Sequence, residues 1–184
     1  MREIGGLSGS SGSRLPVSVG EHEMDIRLVE APESQSGVIG TLLQEYLRQL
    51  SAFTEMRTDE QGSFPYPYLN LYWEEPGRIP YMIEVDGLTA GFALIREVIN
   101  ECASPHMSIA EFYIVPAYQR KGVGKKVFSM IIGLHQGNWQ LSVYRNNQAG
   151  LLFWRHVFKE YALDTFEEDG SGDRISFSFI ALPS

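Results

Sequence analysis

The sequence predicts a mixed α/β (α+β) fold. Short apolar runs of period two alternate with runs of helical period, hairpins are signalled at both ends, and a strand–loop–helix–strand–helix unit lies between them. The chain has 184 residues, enough for one domain with a substantial core. With 43% apolar and 21% charged residues it sits near the average of globular chains.

Taken in order, residues 1–23 are Gly/Ser-rich without periodicity and read as a flexible tail, leaving a single domain over 24–184. "MDIRLVEA" alternates Ile26 and Leu28 against charged neighbours, as a half-buried strand does. Val38, Ile39, Leu42, Leu43, Tyr46, Leu47 and Leu50 have the spacing of an amphipathic helix that covers one sheet face. The proline- and aromatic-rich "SFPYPYLNLYWEEPGRIP" blocks regular helix and reads as a loop able to wall a pocket. Tyr81, Ile83 and Val85 alternate before an Asp86-Gly87 turn and a second strand around Phe92 to Ile95.

"SIAEFYIV" is the next strand, stopped by Pro116. Beyond it Val123, Val127, Met130, Ile131 and Leu134 repeat at helical intervals, with Gly137 placed to end the helix. "WQLSVY" is a short strand leading to Asn146 and Asn147, either a candidate cap for a helix through "AGLLFWRHVF". The last segment, 162–182, reads as a closing hairpin turning at Asp169-Gly170-Ser171-Gly172.

Several function classes are disfavoured. A net charge of −8 argues against nonspecific binding to nucleic acid or anionic membrane. No apolar run approaches the roughly 18 residues of a spanning helix, so a cytoplasmic location is expected. Cys102 is the only cysteine, which excludes an intramolecular disulfide and a CxxC site. The four histidines lack metal-ligand spacing, and no metal is expected.

Against this acidic background, Arg120, Lys121, Lys125 and Lys126 cluster around Gly122 and Gly124, between a strand and a helix. A helix N-terminus offers unpaired N–H groups and partial positive charge, and glycines let an anion approach them. "RKGVGKKV" lacks the GxxxxGK[ST] of an ATP-type loop, and Val127 stands where GxGxxG needs its third glycine.

The pattern that remains, "VPAYQRKGVGKKV", resembles the acetyl-coenzyme A motif of the GCN5-related N-acetyltransferase (GNAT) family, V-x-P-x-x-(Q/R)-x-x-G-x-(G/A), with the proline directly after the valine here. "NQAGLLFW" resembles the family's second motif, N-x-x-A-x-x-F-Y, with Gly150 and Trp154 at the alanine and tyrosine positions; a register one residue earlier pairs Asn146 with Ala149 and puts Phe153 at the tyrosine. The resemblance covers roughly residues 80 to 182; residues 24–79 match only in outline, where the family builds its acceptor site.

It implies a mixed, mostly antiparallel sheet of about six to seven strands flanked by helices, with a splayed central strand pair. It implies N-acetyl transfer from acetyl-CoA to an amine of a small molecule or peptide, with homodimers common in the family. Gln119, Arg120, Lys121, Gly122, Val123, Gly124 and Lys125 then serve the pyrophosphate, the backbone of Tyr113, Ile114 and Val115 the pantetheine, and Asn147, Phe153 and Trp154 the second motif. The oxyanion donor is the Val115 N–H. Glu111, on the strand face of Tyr113 and Val115, is the candidate base. Phe153 and Trp154 carry no proton to give near pH 7, so Tyr144, or else Tyr113, is the candidate acid. That missing tyrosine also motivates an alternative, a non-catalytic acyl-CoA-binding module. The aromatic loop with Glu74 and Glu75 would suit a cationic amine.

Overall fold

The computed structural model describes residues 23–100, 103–161, 167–170 and 172–182. The tail expected over 1–23, all but its last residue, lies outside them, as do Cys102 and Ser171 of the closing turn.

Seven strands form one sheet: β1 (Ile26–Glu30), β2 (Arg78–Val85), β3 (Leu88–Asn100), β4 (Ala103–Ile114), β5 (Gly137–Tyr144), β6 (Glu167–Asp169) and β7 (Arg174–Ala181), in the order β1-β2-β3-β4-β5-β7-β6. Every neighbouring pair is antiparallel except β4 and β5. Helices α1 (Ser36–Leu50) and α2 (Leu71–Glu74) pack on one face, and α3 (Val123–Leu134) and α4 (Gln148–Glu160) on the other.

The patterns that predict these elements also explain their packing. Ile39, Leu43 and Leu47 of α1 are buried against Phe92, Leu94 and Tyr113 of the sheet. Val123, Val127, Phe128 and Ile131 of α3, with Leu151, Trp154, Val157 and Phe158 of α4, fill the other layer. The β2–β3 hairpin turns at Asp86 and Gly87, both at positive φ as a two-residue turn of matching twist requires.

Three boundaries differ from expectation. The second hairpin strand runs over Leu88–Asn100, well beyond Phe92–Ile95, because β4 starts at Ala103 and pairs along it. The proline-rich loop contains one helical turn, α2, packed on β2 through Tyr72. Helix α3 stops at Leu134, and Gly137 opens β5 rather than ending the helix; Trp139 donates from its indole to the His135 carbonyl and fixes the strand entry.

The feature that positions a site is the parallel pair. β4 and β5 are in register only over Met107–Ile109 and Trp139–Leu141; beyond them the strands diverge with their ends unpaired to each other. The register of β3 with β4 slips between Leu94 and Ile95, so that Ala110 is an extra residue in β4. Such a bulge increases local twist and re-aims the following side chains.

Candidate active site

The gap between the diverging strands opens a cleft of about 850 Å³. Ile109 to Ile114 of β4 form one wall and Leu141 to Tyr144 of β5 the other; α1 with the loop after it, and the starts of α3 and α4, close the remaining sides.

Backbone polarity inside the gap follows from pairing. The Val115 N–H donates to the Ala90 carbonyl at 2.9 Å and is therefore spent on β3. Hydrogen-bonding direction alternates along a strand, so Tyr113 also faces β3, whereas Phe112 and Ile114 present their N–H and C=O groups to the gap. The Ile114 carbonyl agrees, accepting from Gln119 Nε2 at 2.7 Å. The expectation that Val115 supplies the oxyanion donor, and that Tyr113 and Val115 offer their amides to the pantetheine, is thus corrected: those amides are spent on β3, and the ones that face the gap belong to Phe112 and Ile114. Strand alternation alone could not settle which set faces inward.

At the mouth of the gap, Pro116–Tyr118 make a single 3-10 turn and Gly122 caps α3 at φ 80°, ψ −6°. Lys126 makes the first helical bond, to Gly122 at 3.0 Å, so the N–H groups of Val123, Gly124 and Lys125 precede any helical acceptor. A Cβ at Gly124 would sit 3.1 Å from Phe153, so glycine there lets α3 close against α4. Arg120 and Gln119 line the cleft. Gln119 caps the end of β4, and Lys121 lies over the Tyr118 ring. The Val123 side chain is fully buried, which leaves only its backbone for a ligand. Lys125 departs from expectation: its ammonium pairs with Glu160 at 2.6 Å, off the cleft lining.

The second motif settles in the later register. Asn147 caps α4, accepting from the Gly150 N–H at 3.0 Å, and lines the cleft with Gly150 and Phe153. Asn146 instead donates to the Phe53 carbonyl. Phe153 stacks on Phe112, and Trp154 is packed among Phe112, Phe128 and Phe158, at the position where the second motif has its tyrosine.

Glu111 sits on the cleft floor beside the Tyr46 and Tyr66 hydroxyls. Burial pushes its carboxyl above the usual range, and those two hydroxyls with Arg174 and Arg96 pull back against the rise. The same burial, reinforced by Glu111, pushes both tyrosines up, so they stay neutral donors. Tyr144 lines the β5 wall, with Arg174 stacked 4.0 Å from its ring centre and donating to its hydroxyl. Tyr113 is engaged by Gln49 at 3.0 Å, on the α1 side.

Tyr46, Arg96 and Arg174 escape sequence reasoning, since they reach Glu111 from α1, β3 and β7 with no local motif. Glu74 and Glu75 line neither this cleft nor the smaller one beside it, and Glu75 is paired with Arg78. Among the described residues no three His, Cys, Asp or Glu side chains are grouped to hold a metal, and no helix is long and apolar enough to cross a membrane.

A splayed parallel pair that ends at a glycine-capped helix defines the class. Residues 41–158 match the family model described as Acetyltransferase (GNAT) family, and the chain belongs to that family. Solved structures share the fold. An acetyltransferase from Thermus thermophilus superposes with a TM-score of 0.62 at 12% identity, over 84% of this chain and 96% of that one. The ribosomal-protein-S18-alanine N-acetyltransferase from Escherichia coli gives 0.55 at 14% identity, over 86% and 96%. The PaiA N-acetyltransferase from Thermoplasma acidophilum, solved in complex with coenzyme A, gives 0.56 at 13%, over 84% and 98%. No curated protein sequence matches the chain.

Proposed function

We propose that this protein moves an acetyl group from acetyl-CoA to a primary amine by direct attack on the thioester. The observation that carries the reading is the β4–β5 gap, which runs from an unpaired helix N-terminus down to a half-buried carboxylate. The neighbour solved with coenzyme A supports the choice of donor.

The pyrophosphate takes the N–H groups at the start of α3, with Arg120 and Lys121 beside them. The pantetheine then runs along β4 as an added strand and bonds the gap-facing backbone of Ile114. Because the coenzyme enters at the α3 end, its thioester lies deepest, next to Phe112, whose N–H is the donor for the tetrahedral oxyanion. Phe153, stacked on Phe112, shields that point from water.

The amine nitrogen attacks the carbonyl carbon, and Glu111 takes the amine proton through a water. The C–S bond breaks, and the thiolate takes its proton from Tyr144. Arg174 donates to the Tyr144 oxygen, which leaves the phenol O–H directed away as a donor.

Calorimetric titration with acetyl-CoA, followed by free-thiol release with an amine panel, tests this. One-to-one binding with amine-dependent release is expected. Absence of binding at millimolar coenzyme would overturn it, and tight binding without release across the panel would favour the non-catalytic acyl-CoA module that Trp154 motivates.

A further inference from the structure

The face of the sheet that α1 and α2 cover is apolar only over β2, β3 and the end of β4. On β5 and β7 the same face is polar: Ser142 lies opposite Ser176 and Tyr144 opposite Arg174, while their strand neighbours Leu141, Val143, Ile175 and Phe177 are buried on the other side. A second cavity of about 300 Å³ stands over this floor and meets the main cleft at Glu111, which lines both.

Its charge opposes that of the chain. Arg78, Arg96 and Arg174 line it, with Glu111 as its one carboxylate. Arg78 and Arg96 are directly opposite each other on β2 and β3, a pairing of like charges that destabilises a sheet unless something offsets it. Glu75 answers Arg78 at 2.6 Å, whereas among the described residues Arg174 bonds only neutral oxygens, those of Ser142 and Tyr144.

Tyr72, 3% exposed, closes one side of this cavity, with the Arg78 guanidinium 5.4 Å from its ring centre.

From this placement we infer that the acceptor is a small primary amine that also bears a carboxylate, an amino acid in its chemistry, with the amine at Glu111 and the carboxylate held by Arg96 and Arg174. The inference rests on the function proposed above and deepens it. A guanidinium matches a carboxylate with two parallel bonds, and two arginines on different strands fix its orientation. The cationic amine that the aromatic loop first suggested would meet three guanidinium groups here.

The test compares free amino acids with their carboxamides and with the decarboxylated amines. Acetyl transfer is followed by thiol release, and binding to the acetyl-CoA-loaded protein by calorimetry. The carboxylate form is expected to be preferred by about ten-fold or more in both readouts. Arg96→Gln should collapse that ratio toward one. Equal handling of carboxylate and carboxamide by the unaltered protein overturns the inference, whatever the variant does. Absence of thiol release with every amine overturns the transfer reaction instead, and the binding ratio still decides the carboxylate.

Discussion

On the proposed function, Glu111 carries both the cost and the use of the site. Burial raises its carboxyl, with the Tyr46 and Tyr66 hydroxyls, Arg174 and Arg96 acting against that rise. A raised acid binds its proton more tightly folded than unfolded, so its contribution to stability is present below the unfolded value and is lost as pH rises through the folded one. At neutral pH and above, the native protein therefore carries a penalty for ionising it. Glu111→Gln is expected to raise the thermal midpoint at pH 8, with the gain vanishing as pH falls into the ordinary carboxylate range; a gain that grows on acidification would reverse the sign assigned here. The same variant should slow thiol release by about a hundred-fold, as loss of a general base does, while coenzyme affinity measured by calorimetry holds. Stability gained with activity lost is the pattern of a strained functional group.

At the scale of elements, the strand-to-helix turn separates two uses of glycine. A Cβ at Gly122 would meet nothing within 4 Å, but the residue sits at φ 80°, so Gly122→Ala should cost about 1–2 kcal/mol in denaturant unfolding through conformation alone. Gly124 has an ordinary backbone and a crowded neighbour, Phe153. Gly124→Glu should weaken coenzyme binding by more than ten-fold, since it adds both bulk and negative charge where the helix presents its N–H groups; full affinity in that variant would remove the pyrophosphate from this turn. The strand β4 makes its own prediction. Amide exchange at Phe112 and Ile114 should slow when acetyl-CoA is added, and exchange at Val115, already bonded to Ala90, should not change. Protection at Val115 alone would restore the donor that the sequence suggests. Pattern and spacing locate this unit because its signals are local: a period-two strand, a proline, two glycines and a helical repeat. The bulge at Ala110 is silent in the sequence, since no glycine or proline marks it, and it is the bulge with the pairing to β3 that decides which amides face the gap.

The whole molecule shows what the sequence hides and what it reveals about charge. Arg78, Arg96 and Arg174 lie far apart along the chain, and only the order β2-β3-β4-β5-β7 brings them around one cavity, so no motif could have grouped them. The basic knot is legible because its cations are adjacent. Yet the chain carries a net charge of −8, and on the proposed function an anionic coenzyme must be drawn to the knot against it. Distance decides the contest. At about 0.1 M salt, a unit charge about 5 Å from the ligand outweighs one about 20 Å away nearly twenty-fold, through Coulomb's law and screening together. The local cations therefore dominate; Lys125 is paired with Glu160 and Lys126 lies a turn into α3, so the two in the strand-to-helix turn itself, Arg120 and Lys121, take the larger share. Replacing both by glutamine should weaken acetyl-CoA binding and flatten its dependence on ionic strength between about 0.05 and 0.5 M. Parallel salt slopes for the two proteins would mean that the helix N-terminus alone holds the pyrophosphate, and that the knot's charge serves another end.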